Sequence, residues 1–347
     1  SEMCIRDRAL TLGDDARSLH LVTVQAPEAT RPDDVIVRIL QSGICGTDRS
    51  VLVGKFDARP GVIMGHEAVG IVEGTGDWVT NVKPGDRVVV NPTLFCGECL
   101  ECRKGRFNHC VNKANNEIGI DRDGTFCEQI VLPAQFVVPV PDEISTDRAT
   151  LIEPFCCALS NVTAAGVQPG SRVIILGGGP VGALASIAAA LSGGQVTLVE
   201  ANPHRRVLLQ GVFDHPDMPT VSILEANRPP ESQPRADVVI DTVGNLLETA
   251  VSLLAPKGTA VVMGYNSSAE ARLRPIDILF GEYRIIGAGD YNYPMFQRAF
   301  DTGIRIPLER IITHKFGLSE YKQAFGFLSV NQENAYDALK VVLESRL

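Results

Sequence analysis

Four of the nine cysteines stand between positions 96 and 110, as Cys96-x2-Cys99-x2-Cys102-x7-Cys110. Four thiolates in one short loop suit a closed tetrahedral zinc site, which needs no open coordination position and contributes directly to folding. An iron–sulfur cluster is the competing reading, because ferredoxin-type runs also begin C-x2-C-x2-C. Seven residues before the fourth cysteine, and no proline after it, fit that reading poorly. A zinc module for nucleic acid is a second rival, opposed by the acidity of the chain. His109, beside Cys110, is read as a bystander.

A second set of ligand-type residues is dispersed: Cys45 in G-I-C-G-T-D, His66 and Glu67 in M-G-H-E, and Glu153 in L-I-E-P. Singly each is unremarkable, since a lone cysteine usually packs in a core and a lone glutamate is usually solvated. Together they offer a thiolate, an imidazole and one or two carboxylates. Three protein ligands with an open fourth position are the arrangement of a catalytic zinc, although spacing alone does not show that these residues meet.

A third motif is Gly177-Gly178-Gly179-Pro180-Val181-Gly182, a G-x-G-x-x-G that follows an apolar run. Glycines there permit a tight turn, close approach of backbone N–H groups to a pyrophosphate and close helix–strand packing. Pro180 suits the first helical turn, whose N-terminus favours phosphate. A Gly-rich turn can be purely structural, but here a second strand follows and ends at Glu200, where a carboxylate would bond a ribose 2′-hydroxyl. The same carboxylate would repel a 2′-phosphate, which favours NAD over NADP. Arg205 and Arg206 blur that choice.

The elements that must carry these motifs fall into two textures. Up to about position 150 the chain is β-rich, with strands expected at Val35–Leu40, Ala68–Glu73 and Arg87–Val90, punctuated by Gly74-Thr75-Gly76 and Lys83-Pro84-Gly85-Asp86. From about Gly170 strands alternate with helices. Arg172–Leu176, Gln195–Val199, Asp237–Ile240 and Thr259–Met263 read as strands. Pro180–Leu191, a segment from His204, and Leu246–Leu254 read as helices. This alternation implies a doubly wound parallel sheet. Beyond Gly287, helices are expected near Pro294–Asp301 and Ser319–Leu328, and Ala338–Leu343 reads as a strand returning to the first domain. Asp214–Arg235, with five prolines, reads as an irregular connection.

Composition bounds the rest. The chain of 347 residues, 45% hydrophobic and 21% charged, is long enough for two domains and too apolar for disorder. A net charge of −9 gives no attraction to phosphate backbones or anionic lipid. The uncharged stretch from Val173 to Val199 has the length of a membrane span, but its glycines and Pro180 read as buried strand, turn and helix. Ser1–Arg8 is charged and lacks an apolar core, so it is no signal peptide. It resembles a translated sequencing-adapter remnant and is left out of the fold expectation. Clustered thiols without a secretory signal point to a reducing, cytoplasmic setting. Cys127, Cys156 and Cys157 are read as small apolar residues. His20, His204, His215 and His314 carry no motif.

Taken in order, G-I-C-G-T-D, G-H-E-A-V-G-I-V, K-P-G-D-R-V, C-G-E-C-L-E-C-R-K-G-R-F-N-H-C, L-I-E-P and L-G-G-G-P-V-G resemble the zinc-dependent medium-chain alcohol dehydrogenase family. The likeness is to its polyol (sorbitol-type) and threonine dehydrogenase branches, and it runs from Ala9 to the C-terminus. It implies an α/β protein: a GroES-like β catalytic domain with an inserted Rossmann domain. The division would be 9–154 with the zinc loop 96–110, then 155–284 for NAD, then a return over 285–347. One catalytic and one structural Zn2+ and an active site in the interdomain cleft are implied. Cys45 and His66 would be zinc ligands, and Glu67 and Glu153 the carboxylates that alternate between ligand and support. Thr47 would relay the substrate proton. Gly177, Gly179 and Gly182 would hold the cofactor, Glu200 its ribose, and Arg205 would flank the adenine. Met263-Gly264-Tyr265 and Gly287-Ala288-Gly289 would hold the nicotinamide amide.

Two departures stand out. Where the family often has histidine, five residues after the zinc cysteine, this chain has Ser50. The usual pattern after Arg206 is also missing. The expected activity is NAD-dependent oxidation of a secondary alcohol (a polyol, cyclitol or sugar alcohol) to a ketone, with L-threonine as the alternative substrate. A non-catalytic, zinc-stabilised NAD(H) sensor is a reading of another class, which the full ligand set and Thr47 oppose. The expected partner is a small-molecule alcohol, without nucleic acid or membrane, and the expected assembly a homo-oligomer, dimer or tetramer.

Overall fold

A computed structural model describes residues 6–113, 116–226, 235–327 and 337–345. The chain begins with the hairpin β1 (Arg6–Leu12) and β2 (Leu19–Gln25), paired antiparallel from Arg6 opposite Gln25. Residues 6–8 therefore belong to the fold, contrary to the expectation that left them out. Arg8 anchors them through its backbone N–H and guanidinium on the Glu128 carboxylate.

A mixed sheet follows, built from β3 (Asp34–Gly43), β4 (Glu67–Thr75), β5 (Arg87–Val90), β6 (Gln129–Pro133) and β7 (Val137–Pro139). In β3, Val35, Val37 and Ile39 are fully buried while Ile36 and Arg38 are not, the period-two pattern of a sheet with one face on a core.

The second sheet is parallel and six-stranded, in the order β10-β9-β8-β11-β12-β13. Its strands are β8 (Arg172–Leu176), β9 (Gln195–Glu200), β10 (Val221–Glu225), β11 (Ala236–Asp241), β12 (Leu254–Val262) and β13 (Arg284–Gly287). Val173, Ile174, Ile175 and Leu176 are consecutive and all buried, because helices cover both faces of such a sheet. The helices Pro180–Leu191 and Pro203–Phe213 connect its first strands. The stretch from Val173 is thus strand, turn, helix and strand, and among the described residues no helix is long and apolar enough to cross a membrane. The expected irregular connection Asp214–Arg235 is corrected in part. Val221–Glu225 pairs in register with β9 as the edge of the sheet, its prolines lying outside the strand. Residues 227–234 lie outside the described set.

The chain then returns to the first sheet through β14 (Ile312–Gly317) and β15 (Lys340–Glu344), with β15 between β14 and β3. The expected helix Ser319–Leu328 is a 3-10 turn, Leu318–Glu320, followed by the helix Tyr321–Gly326; Leu328 falls outside the described residues. The segment expected as helix to Leu254 stops at Ser252, and Leu254 already opens β12. A fourteen-residue helix, Ile152–Ala165, joins the two parts and closes on Gly166 in the left-handed region (φ 73). Its buried face shares one core with Val69 and Val89 of the first sheet, Ile175 and Leu184 of the second, and Phe296 beyond it. The expected 154/155 boundary lies inside this helix.

Candidate active site

The pairing of β3 with β4 explains how three dispersed residues meet. Gly43, the last residue of β3, lies opposite Glu67, the first of β4. Cys45 is two residues past one strand end and His66 one residue before the other, so both project into the same corner. The ligand atoms of Cys45, His66 and Glu67 all lie within 4.8 Å of one another. Cys45 also caps the helix Gly46–Leu52, and Asp48 in its first turn accepts the Cys45 backbone N–H at 2.8 Å.

The corner is built for positive charge. Asp48 is fully buried, and its Oδ1 stands 3.8 Å from His66 Nδ1; among the described residues neither atom has a hydrogen-bond partner. Burial opposes a charge on His66, but Asp48, Cys45 and Glu153 outweigh it and push the imidazole pKa well above its ordinary value. A half-buried thiol and imidazole beside a buried carboxylate, with one ring nitrogen left over, form a donor set that fits a divalent cation such as zinc.

Lys340 is the residue that sequence reading missed. It comes from β15, is 2% exposed, and its Nζ pairs with Glu67 and donates to the Ile44 carbonyl at 2.9 Å. Gly43 makes room for this pair, since a Cβ there would lie 2.1 Å from Glu67 Oε2 and 2.9 Å from Lys340 Cε. One signal was available: a lone lysine inside the apolar run Ala338–Leu343.

Glu153, in the first turn of the Ile152–Ala165 helix, faces the same corner but stands outside the three-residue group. Burial pushes its carboxyl up to about 7, against the pull of His66. Cys157, one turn on, donates its thiol to Glu153 Oε1 at 3.6 Å, a contact the small-apolar reading of Cys157 did not include. Thr47 Oγ1 lies 3.6 Å from Cys45 Sγ. Ser50 donates its hydroxyl back to the Gly46 carbonyl at 2.9 Å, within its own helix.

Cys96, Cys99, Cys102 and Cys110 converge as a separate group within the same 4.8 Å limit. Their Sγ–Sγ separations include 3.6 Å (Cys96–Cys110) and 4.0 Å (Cys96–Cys102 and Cys99–Cys110). A tetrahedron with Zn–S bonds of about 2.3 Å has edges of about 3.8 Å, so the sulfurs fit that metal. Backbone N–H groups of Cys102 and Val111 pull the Cys99 thiol down to about 6.

At the C-terminal end of β8 the glycine loop has the geometry its motif demands. Gly177 has φ 99, and a Cβ on Gly182 would lie 1.9 Å from the Gly177 carbonyl oxygen. Pro180 and Val181 open the helix Pro180–Leu191, with Gly179 as its N-cap. Glu200 folds onto this loop, accepting N–H groups from Gly178 at 2.8 Å and Asn202 at 2.7 Å, with Arg205 Nη1 at 3.6 Å. Arg206 donates instead to the Glu200 and Ala201 carbonyls and pairs with Glu225. Such an edge, at the carboxyl ends of parallel strands, is where dinucleotides bind. Met263 and Gly264 leave β12 at the same edge, both N–H groups held by the Asp241 carbonyl. Next to them Tyr265 packs on Phe56 at 5.1 Å and Ser267 donates to the Lys55 carbonyl at 3.2 Å, tying this edge to the loop that follows the Cys45 helix.

Comparison with known proteins agrees with this geometry. Residues 31–142 match the alcohol dehydrogenase GroES-like domain, and residues 180–304 match the zinc-binding dehydrogenase domain. The chain is 29% identical to the sorbitol dehydrogenase of Bacillus subtilis, over 89% of this chain and 90% of that protein. It is 31% identical to the L-threonine 3-dehydrogenase of Pyrococcus horikoshii, over 88% and 90% respectively. A crystal structure of a zinc-binding dehydrogenase from Sinorhizobium meliloti bound to NADP superposes with a TM-score of 0.87 at 30% identity, covering 98% of this chain and 99% of that one. The chain belongs to the zinc-binding, medium-chain alcohol dehydrogenase family, and is an oxidoreductase that works with zinc and a nicotinamide dinucleotide.

Proposed function

We propose that the protein oxidises a secondary alcohol of a polyol, cyclitol or sugar alcohol to a ketone, with NAD as acceptor. The observation that carries this reading is the convergence of Cys45, His66 and Glu67 in a buried corner whose loop touches the nucleotide-binding edge. Cys45, His66 and Glu67 would hold a zinc ion supplying Lewis-acid polarisation of the substrate hydroxyl, and the glycine loop would hold NAD, supplying the hydride acceptor. Asp48 orients His66, while Lys340 balances Glu67 so that the corner does not hold three uncompensated anions. The Thr47 hydroxyl both accepts and donates, and so moves the substrate proton outward. Glu153 and Thr47 line the site with polar groups, which suits a hydroxylated substrate. Glu200, by holding the glycine loop and presenting a carboxylate to the ribose, favours NAD.

The division into 9–154, 155–284 and 285–347 is supported by the two separate sheets and by the return of β15 to β3. A homo-oligomer, dimer or tetramer, is supported by the apolar Leu279, Phe280 and Ile285, exposed beside β13, which among the described residues is an edge strand of its sheet. The clustered thiols of Cys96, Cys99, Cys102 and Cys110 support a reducing, cytoplasmic setting. Incubation with polyols, cyclitols and L-threonine, followed by NADH absorbance, tests the function. Turnover of threonine alone would replace the polyol reading with the second one, and no turnover of any of them would overturn both.

A further inference from the structure

Three polar side chains stand at i, i+4 and i+8 on the Ile152–Ala165 helix: Glu153, Cys157 and Asn161. Residues at that spacing share one face of a helix, and eight positions span about 12 Å along its axis. Glu153 faces the corner of Cys45, His66 and Glu67, and the Cys157 thiol donates to its Oε1 at 3.6 Å. Asn161, two turns on, is 1% exposed. Its Nδ2 donates to the Cys157 carbonyl at 3.0 Å and, outside the helix, to the Ala288 carbonyl at 2.9 Å. Both amide protons are thereby used, and the amide can face only one way, since neither carbonyl could meet Oδ1. Among the described residues Oδ1 accepts no hydrogen bond. A buried acceptor without a donor is a cost that an apolar side chain in this core would not carry. The two N–H bonds are what the asparagine adds.

Ala288 lies between Gly287, the last residue of β13, and Gly289. Neither glycine has a positive φ. Nor does packing demand either one. A Cβ on Gly289 would meet nothing within 4 Å, and one on Gly287 only the Val262 carbonyl oxygen at 4.0 Å. Two glycines that neither conformation nor packing requires leave the backbone open to close approach by a ligand. Strand order says which part of the ligand that is. In β10-β9-β8-β11-β12-β13 the glycine loop follows β8 and Glu200 ends β9, so the adenosine half belongs on the β9 side. The nicotinamide half then belongs on the other side, over β11, β12 and β13. A carboxamide needs both a donor and an acceptor, and an open peptide edge offers both. The far end of this segment is held by the cysteine lobe, where Lys113 pairs with Asp290 and Asn292 donates to the Gly105 carbonyl at 2.6 Å. Its near end is held by Asn161.

We propose that Asn161 is a positioning residue for the cofactor: by fixing the Ala288 carbonyl to the helix, it sets the backbone of residues 287–289 where a nicotinamide carboxamide binds. The helix that carries Glu153 to the metal corner thereby also places the amide of the hydride acceptor. This inference rests on the reading of the carboxyl edge of the second sheet as the dinucleotide site.

The test measures binding of NADH and of ADP-ribose, by calorimetry, to the intact zinc-loaded protein and to Asn161→Leu and Asn161→Ser. ADP-ribose carries the adenosine and the pyrophosphate but no nicotinamide. Leucine has no donor. Serine has one, which a mid-helix hydroxyl gives to the i−4 carbonyl, so that Ala288 alone loses its partner. In both variants NADH binding is expected to weaken about fivefold, the size of one net hydrogen bond, while ADP-ribose binds as to wild type. Asn161→Ser carries the test alone should Asn161→Leu fail to fold. NADH binding at wild-type strength in the folded variants would overturn the proposal. So would an equal loss for ADP-ribose, which marks a role in the fold at large and not at the amide platform. Wild type that binds neither ligand would overturn the dinucleotide reading and, distinguishably, the inference with it.

Discussion

The two ligand clusters of this molecule are built in opposite ways. The four cysteines between 96 and 110 are held by their own loop. Backbone N–H groups of Glu98, Cys99 and Cys102 point at the sulfurs of Cys96 and Cys99, and Cys96 N–H points at Cys110. The corner proposed as catalytic draws Cys45 from beyond β3, His66 and Glu67 from the head of β4, Glu153 from a helix, and Lys340 from the last strand of the first sheet. A local cluster can form as soon as its loop orders, whereas a dispersed one exists only after the first sheet has closed. The local site is therefore a source of stability, and the dispersed site a consumer of it, since it keeps Asp48, Glu67, Glu153 and Lys340 buried.

The largest expected effects test that contrast directly. Cys45→Ser should lower kcat/KM by about a thousandfold or more, equivalent to about 4 kcal/mol of transition-state stabilisation. It should remove one equivalent of metal and leave the urea midpoint close to wild type. Cys99→Ser should remove the other equivalent and cost several kcal/mol of stability, or prevent folding, because binding free energy at a structural zinc site is folding free energy. Metal analysis with urea titration of both variants checks this. A Cys45→Ser protein that unfolds beside a fully stable Cys99→Ser protein would reverse the comparison.

Next in size is Lys340→Met. Removing one partner of a buried ion pair leaves the other uncompensated, at a cost of about 3–5 kcal/mol. The second change Glu67→Gln removes that stranded charge, so the double variant should recover much of the stability while remaining poorly active. If Lys340→Met alone were as stable as wild type, the pair would not be what stabilises this corner.

The same contrast explains what could be read in advance. Cys96-x2-Cys99-x2-Cys102-x7-Cys110 and the glycine loop 177–182 are local, and spacing alone indicated their chemistry. The strands β5 and β8 and the helix Pro180–Leu191 were legible to the residue, because β-branched or alanine-rich runs bounded by turn residues have one reading. The β10 edge strand was hidden because the prolines around it outweighed its five residues, Val221–Glu225. Arg8 looked like part of a stray charged tail because its partner, Glu128, is 120 positions away. Lys340 was missed for the same reason. Its role comes from long-range pairing with Glu67 across the sheet, and no local pattern encodes that.

A smaller effect is expected at the nucleotide edge. Glu200 has both carboxylate oxygens engaged by backbone N–H groups, so it shapes the glycine turn in addition to the ribose contact proposed for it. Glu200→Ala should narrow the preference for NAD over NADP by about tenfold, the size of one hydrogen bond to a charged group plus a lost repulsion. Comparing kcat/KM for the two cofactors checks it. A wild type that uses NADP at least as well as NAD would mean that Glu200 serves the turn alone.

The smallest expected effect concerns the proton that alcohol oxidation releases in the buried corner. Thr47 can pass it on, but a hydroxyl cannot store it near neutral pH. The family resemblance associates histidine with the position of Ser50, and an imidazole there, with a reference pKa of about 6.5, would accept the proton. Ser50 cannot act as a base, and its hydroxyl is already donated to the Gly46 carbonyl at 2.9 Å. The relay therefore ends in solvent. Its rate should follow hydroxide and keep rising between about pH 7 and pH 10 rather than levelling off above an imidazole pKa. Ser50→His supplies the missing acceptor. It should raise kcat near neutral pH by a few-fold, well below the roughly 10²–10⁴-fold of an optimally positioned base because the residue is grafted onto the end of the relay, and move the rise to lower pH. Neutral imidazole is the active form, so the gain should fade below about pH 6 as the ring protonates. Steady-state rates of both proteins across that range decide the matter. A wild-type profile already flat above neutrality and unchanged in Ser50→His would show that another group in the dispersed corner ends the relay.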